Sequence, residues 1–200
     1  MDDSAENIRK NNRKGFSEVS MLGEIKVGEL SFIWPGSLIK GTNTGVSIGD
    51  EVTVLDNVVI TDSYKQETVI HKGVFISPGA VLKGCSVGRN SFLGMDCVIM
   101  EGAEVGKGSI ISNDSIVPAD MVIPEGKIVT GSPARVVGDV SEVELKRINK
   151  LREHVDWRKE EYFTMRERGE KYEIDKLPLR PDEIRALFLG KEKDGGAAEI

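Results

Sequence analysis

Aliphatic side chains recur at every sixth position through most of residues 27–129. Three steps depart from six: residues 39–48 take nine, residues 60–70 take ten and residues 82–87 take five. The series consists of Val27, Ile33, Ile39, Ile48, Val54, Ile60, Ile70, Ile76, Leu82, Val87, Leu93, Ile99, Val105, Ile111, Val117, Ile123 and Val129. An α-helix would repeat about every 3.6 positions and a simple strand about every two. A period of six predicts a short strand followed by a turn.

A second inward series lies four residues after each aliphatic position, and its members are mostly small. They are Ser31, Ser37, Val52, Val58, Val74, Ala80, Ser91, Cys97, Ala103, Ser109 and Ser115. Glycine, Asn and Asp are frequent between the two series, where they tolerate the backbone angles of a sharp corner. We therefore expect Cys97 to be a core residue.

Three strand-and-turn units make one triangular coil, and stacked coils form parallel ladders around a buried aliphatic column. Residues 27–137 supply about six such coils. The sequence thus predicts an all-β solenoid, a parallel β-helix. The period does not give its handedness, although ordinary parallel crossovers are right-handed.

The period ends in "VTGSPARVVGD", where Pro133 interrupts the ladder. Ser141 and Glu144 then form a capping box. The following helix ends near Gly169, with one apolar face formed by Leu145, Ile148, Leu151, Val155 and Tyr162. A short second helix starts at Pro181. We expect an N-terminal arm over 1–20, the β-helix over 21–138, the helix over 139–169, and a short helix with a flexible tail over 170–200.

The charge and composition exclude two classes of partner. The formal net charge is -6 and the pI is near 5.2, so a nucleic-acid backbone would be repelled. No apolar segment is long enough for membrane insertion. The two cysteines suggest neither a disulfide framework nor a zinc ribbon. We expect a cytoplasmic protein with reduced thiols.

Three stretches carry a resemblance: "GEIKVGELSFIWPGSLIKG", "GCSVGRNSFLGMDCVIMEGAEVGKGSII" and "IVTGSPARVV". In this order and spacing, followed by a capped helix, they resemble the gamma-class carbonic anhydrases of the hexapeptide-repeat superfamily. The resemblance covers roughly residues 22–165. It implies that the β-helix is left-handed and that the protein is a homotrimer.

The family's active site is a metal, usually zinc, which three histidines hold between two subunits with a fourth position open to water. The resemblance places these histidines at Thr61, Pro78 and Lys83. Proline has no donor atom, threonine is a poor zinc ligand, and the lysine ammonium repels a cation. We therefore expect no bound metal or other cofactor and no catalytic residue of the family type.

Other family positions are also changed. The family's glutamine corresponds to Leu55, and the aspartate of its Arg-Gly-Asp turn corresponds to Thr42. Lys40 replaces the arginine of that turn, while Asp56 is retained. In the family this pair bridges subunits, so Lys40 and Asp56 are expected to do so here, without arginine's two-pronged contact.

His71 and His154 are the only histidines. His71 directly follows Ile70 and is expected on a different face from Thr61 and Lys83. A threefold axis would bring three copies of one histidine together, but an exposed corner is the simpler interpretation of His71. His154 is expected at the surface or an interface of the C-terminal helix.

Three hypotheses follow. The first is a metal-free, homotrimeric structural or assembly subunit without carbon dioxide hydration activity, which docks other protein subunits through its C-terminal helices. The second is an acyltransferase with an acyl-CoA donor, in which His71 is the only candidate base within the β-helix. The third is a bicarbonate or carboxylate binding module, in which Lys83 provides a buried ammonium beside Thr61.

Overall fold

A computed structural model describes residues 19–168 of the chain. The contacts divide the chain into two units, Met1–Val140 and Ser141–Ile200. The predicted arm before residue 19, the short helix starting at Pro181 and the tail lie outside the described residues.

The first unit contains seventeen strands, most of them only two or three residues long. In chain order they are β1 Ser20–Val27, β2 Phe32–Ile33, β3 Leu38–Ile48, β4 Thr53–Val54, β5 Val59–Thr61, β6 Thr68–Ile70, β7 Phe75–Ile76, β8 Val81–Lys83, β9 Ser86–Val87, β10 Phe92–Leu93, β11 Val98–Ile99, β12 Glu104–Val105, β13 Ile110–Ile111, β14 Ile116–Val117, β15 Val122–Ile123, β16 Lys127–Gly131 and β17 Ala134–Asp139. The prediction of short strands joined by turns is confirmed.

The strands stack in parallel as three faces. The first face consists of the start of β3, then β5, β8, β11 and β14, and the second of the end of β3, then β6, β9, β12 and β15. The third face consists of β2, β4, β7, β10, β13 and β16, so the solenoid has six coils. The fold is the expected left-handed parallel β-helix, and β17 ends it by pairing antiparallel to β16.

The two inward series form the core. The aliphatic positions from Ile33 to Val129 are almost completely excluded from solvent, and Cys97 is fully buried as predicted. The small serines are buried too, and their hydroxyls join neighbouring coils. Ser37, for example, donates to the carbonyl of Leu55 at 3.0 Å and accepts from the N–H of Val58 at 3.2 Å.

One irregular step of the period has an unexpected form. The nine-residue step does not leave the sheet as a separate loop, because β3 runs through it as one strand of eleven residues. β1 pairs with β3 on both sides of this step, with a register shift between Gly23 and Ile25. The extra residues therefore widen a coil within one strand, and the ladders resume on the far side of the step.

The second unit contains helix α1, Glu142–Arg168. The predicted capping box is confirmed, since the Ser141 N–H donates to Glu144 Oε2 at 3.0 Å and Ser141 Oγ accepts from the Val143 N–H at 3.2 Å. No helix in residues 19–168 is long and apolar enough to cross a membrane.

The predicted apolar face of α1 is only partly correct. Leu151 and Val155 are buried and Ile148 is half-buried, but Leu145 is 47% exposed because it lies in the first turn. His154 is buried and therefore does not lie on the open surface of the chain. The side chain of Tyr162 lies outside the described residues.

Candidate functional site

Lys40, Thr61 and Lys83 form one column on the outside of the first face. Lys40 is the register partner of Thr61, and Thr61 is the register partner of Lys83. Coils in such a ladder are about 4.8 Å apart, so the two lysine backbones are about 10 Å apart with the threonine between them. Both lysines are exposed and Thr61 is half-buried.

The other positions that the resemblance relates to the family's active site lie at the corner that precedes the first face. Pro78 is half-buried in the turn before β8, while Leu55 is buried and Asp56 half-buried in the corresponding turn before β5. The N–H of Gly79 donates to the carbonyl of Asp56 at 3.1 Å, which stacks these turns. Within one chain, Thr61 is therefore adjacent to Lys83, whereas Pro78 lies apart from both at the preceding corner.

Lys83 is exposed within one chain, and the expected burial of its ammonium depends on the contact between copies. Its side chain is exposed within one chain because Val81, Lys83 and their outward neighbours face away from the core. Neither Lys40 nor Lys83 makes an ion pair with another residue of the described range 19–168. The described part of the chain therefore leaves both ammonium groups without a counter-charge.

An apolar ladder runs beside this column. Leu38, Val59, Val81, Val98 and Ile116 are consecutive register partners on the outside of the first face. Leu38 is 37% and Ile116 36% exposed, and the other three are half-buried. Along the strands of this face, within the described residues, the two lysines are the only outward charges. Among residues 19–168, the first face is thus an accessible apolar surface with two positive groups.

Asp62, directly after Thr61, holds the widened coil in place and was missed by sequence reasoning. The residue is 5% exposed, and its carboxylate accepts four consecutive backbone N–H groups, at 3.2, 2.5, 2.6 and 3.0 Å from Thr42, Asn43, Thr44 and Gly45. Burial would raise the pKa of Asp62, but the hydrogen bonds from Gly45, Asn43 and Thr44 lower it to about 2. The carboxylate is therefore ionised near neutral pH.

A sequence signal for Asp62 did exist. The nine-residue step adds residues with unpaired N–H groups just after Lys40, and the register partner of Lys40 is Thr61. An acidic residue immediately after Thr61 is therefore placed one coil away from those N–H groups. Such a short side chain is a natural acceptor for a turn of backbone amides.

His71 lies on the second face, away from Thr61 and Lys83 as expected. It directly follows β6, and its imidazole is exposed. Its backbone N–H donates to the carbonyl of Val87 at 2.9 Å, and the equivalent positions of the adjacent coils are Gly49 and Gly88. No side chain from those two positions covers the imidazole.

Possible metal donors are dispersed in the described part of the chain. Within residues 19–168, no three His, Cys, Asp or Glu side chains come together as a metal-binding group. Cys85 and Cys97 are both fully buried, and burial raises the pKa of each thiol to about 12.

Comparison with known proteins accounts for this architecture. The family described as bacterial transferase hexapeptide (six repeats) matches residues 84–119, and the hexapeptide repeat of succinyl-transferase matches residues 35–62. A carbonic anhydrase of Geobacillus kaustophilus is 35% identical over 134 residues, which are 67% of this chain and 74% of that protein. The chain belongs to the gamma carbonic anhydrase-like family of hexapeptide-repeat proteins. The resemblance inferred from the sequence motifs is thereby confirmed.

Other members and neighbours of this gamma carbonic anhydrase-like family carry different names. The carnitine operon protein CaiE of Salmonella agona is 33% identical over 64% of this chain, and the match spans 66% of its own length. A hexapeptide transferase family protein from Anaplasma phagocytophilum has a similar structure, with a TM-score of 0.62, 26% identity, and coverage of 68% of this chain and 84% of that chain.

Proposed function

We propose that the protein is a metal-free gamma carbonic anhydrase homologue, a homotrimeric structural or assembly subunit without carbon dioxide hydration activity. One observation carries the proposal. The positions that the family resemblance assigns to the metal ligands hold Thr61, Pro78 and Lys83, and the register places Thr61 beside Lys83.

These residues do not fit a zinc ion. Three neutral imidazoles supply nitrogen donors and leave the metal enough charge to ionise a bound water. Pro78 has no side-chain donor, and Lys83 has no free electron pair while it is protonated. An ammonium at one ligand position would repel the cation that the other two would have to hold. No hydration step can therefore be assigned to this chain.

The apolar ladder of the first face supports association between copies, and the family resemblance implies that three copies associate. Burial of apolar area contributes about 25 cal/mol per Å² to association, and residues 19–168 leave this face accessible. A large exposed apolar patch marks an interaction surface, and most soluble oligomers are closed assemblies of identical chains. Such a surface therefore favours binding to another copy of the chain. Lys40 lies at the far end of the strand segment on this face, and Asp56 lies at the corner that precedes the face. The two residues are proposed to bridge the copies. The C-terminal part of the chain is proposed to dock other protein subunits.

Introducing histidines at the three ligand positions tests the proposal that the metal site has been lost. The variant with Thr61→His, Pro78→His and Lys83→His should bind about one zinc per chain when purified with zinc and without a histidine tag, whereas the wild type should bind almost none. A control with Lys40→His in place of Lys83→His should also remain empty. Zinc in the wild type, or a triple variant that folds but stays empty, would contradict the assignment of the three positions.

An acyltransferase is the second candidate, and His71 favours it. An exposed imidazole between two glycine positions is accessible to an acceptor hydroxyl or amine, from which a general base would take the proton. The matched transferase families support this alternative. Wild-type protein and His71→Gln should be compared for acyl transfer from an acyl-CoA. Equal rates would remove the role of His71.

A bicarbonate or carboxylate binding module is the third candidate. The observation in its favour is the pair of exposed ammonium groups on either side of Thr61. Titration with bicarbonate should then raise the midpoint of thermal unfolding, because a ligand that binds only the folded state stabilises it. An unchanged midpoint, or an equal rise with chloride, would reject this role.

A further inference from the structure

We propose that Lys83 of one copy forms an ion pair with Asp96 of the next copy in the trimer. The pair rests on the trimer proposed above and names the contact that would neutralise Lys83. Its basis is the position of two charges that have no partner among residues 19–168.

Asp96 lies at the corner beside the first face. It occupies the turn before β11, and its backbone has φ of 53°, a left-handed conformation that Asp tolerates better than most residues. Its N–H donates to the carbonyl of Pro78 at 3.1 Å, so it stacks directly on the corner of the preceding coil. The side chain is exposed.

The carboxylate of Asp96 folds back toward the coil that contains Lys83. Its Oδ1 lies where a Cβ would stand on Gly79, and only a glycine leaves that space open. Gly79 and Lys83 belong to the same coil, because Gly79 is in the turn that leads into β8. Asp96 therefore presents its negative charge at about the height of Lys83, although the two residues start from neighbouring coils.

Within one chain these two charges do not meet. Neither side chain makes an ion pair or a hydrogen bond with another of the described residues 19–168. Lys83 lies at the far end of its strand on the first face, whereas Asp96 lies at the corner that precedes that face. The charges thus belong to two separate parts of the molecular surface.

A closed ring would bring these two parts together. If the threefold axis is parallel to the solenoid, rotation about it leaves every coil at its own height. The resemblance implies that the three ligand positions meet between two copies, and within one chain the corner of Pro78 is apart from Thr61 and Lys83. The first face of one copy would therefore meet this corner of the next, where Lys83 would meet the Asp96 carboxylate at the same height. Covering the apolar ladder would remove water from Lys83, and a desolvated ammonium requires a counter-charge.

The corresponding position near Lys40 is different. There Asn57 Oδ1 occupies the space over Gly36, in the coil that contains Lys40. An amide at this place supplies a hydrogen-bond acceptor but no charge. Among the two lysine coils, only that of Lys83 is matched by a carboxylate at this corner column, so the pairing is specific to the position that the resemblance assigns to a metal ligand.

Charge reversal with rescue tests the pair in the full-length protein. Lys83→Glu places two carboxylates together and should weaken assembly by about tenfold or more, since close interfacial charges couple strongly. Adding Asp96→Asn should recover most of that loss, because Asn also tolerates the left-handed backbone. The matched control adds Asp114→Asn, which has φ of 57° and lies one coil further along, and should recover little. Dissociation on dilution is followed by mass photometry.

The outcomes separate this pair from the trimer. A wild-type protein that is monomeric at micromolar concentration overturns both proposals. A trimeric wild type with Lys83→Glu equally trimeric overturns the ion pair alone. Recovery that is the same with Asp96→Asn and Asp114→Asn overturns Asp96 as the partner. Selective recovery with Asp96→Asn supports the pair.

Discussion

The first and third faces share one period but have opposite outer surfaces. On the third face the outward aromatic residues Phe32, Phe75 and Phe92 are at most 6% exposed, whereas the outward ladder of the first face remains accessible. Phe75 and Phe92 stack with their ring centroids 5.4 Å apart. The outward aromatic residues of the third face are therefore buried within the chain, whereas the described residues leave the outward ladder of the first face accessible. The first face also contains two lysines that form no ion pair within residues 19–168.

Removal of a buried aromatic ring from the third face should cause the largest loss in the free energy of unfolding. Phe75→Ala should lower the free energy of unfolding by about 3–5 kcal/mol, because a large buried side chain leaves a cavity. Tyr64→Ala removes an aromatic ring that is 90% exposed and should change it by at most about 0.5 kcal/mol. Urea denaturation measures both. Equal losses would mean that the outer surface of the third face is not part of the core.

A charge introduced on the first face should dissociate the proposed trimer without unfolding the chain. Val81→Glu should give a monomer with unchanged β-sheet circular dichroism, because an unpaired carboxylate is costly in an apolar contact. Val69→Glu changes an outward, half-buried valine of the second face and should leave the trimer intact. Light scattering after gel filtration measures the mass. Dissociation by Val69→Glu alone would assign the contact to the second face.

The rim of the first face depends on Asp62. Asp62→Asn should destabilise the protein by about 1–3 kcal/mol near neutral pH, because buried amides lose a charged acceptor. The pKa of Asp62 is lowered from 3.8 to about 2, so its contribution is present above pH about 4 and is lost as the pH falls toward 2. Thermal unfolding of wild type should show this acid loss more strongly than the variant. Asp114→Asn, at an exposed aspartate, should behave like wild type.

The core that the three faces share should show the smallest effect, because its two cysteines should not react in the folded protein. Cys85 and Cys97 are buried, and desolvation raises the pKa of both thiols to about 12, so almost no thiolate forms at pH 8. A thiol reagent should label neither residue in the native protein and both after unfolding. Rapid native labelling would show that the coils open, or that the core around Cys97 is misplaced.

The sequence predicted the inside of the molecule better than its outside. A strict period reports which positions face the core, so Ile33, Ser37 and Cys97 were placed correctly. The same period does not show which outer face is covered, because inward and outward residues alternate in the same way on the first and third faces. The burial of Phe75 therefore had no signal in the spacing alone.

The candidate site was predicted only in part for a related reason. The resemblance gave the positions Thr61 and Lys83, and the register confirmed that they are adjacent. The hydrogen bonds of Asp62 and the position of Asp96 over Gly79 are contacts between coils, which the order of residues along the chain does not show. Those contacts became visible only when the coils were stacked.

The central claim is that the former metal site has become a metal-free surface between copies of the chain. Elemental analysis of untagged wild-type protein, purified with zinc and iron available, tests it most directly. A metal content near zero per chain is the predicted result, because Thr61, Pro78 and Lys83 offer no suitable ligand set. A content near one metal per chain would contradict the claim and restore carbonic anhydrase activity as the leading function.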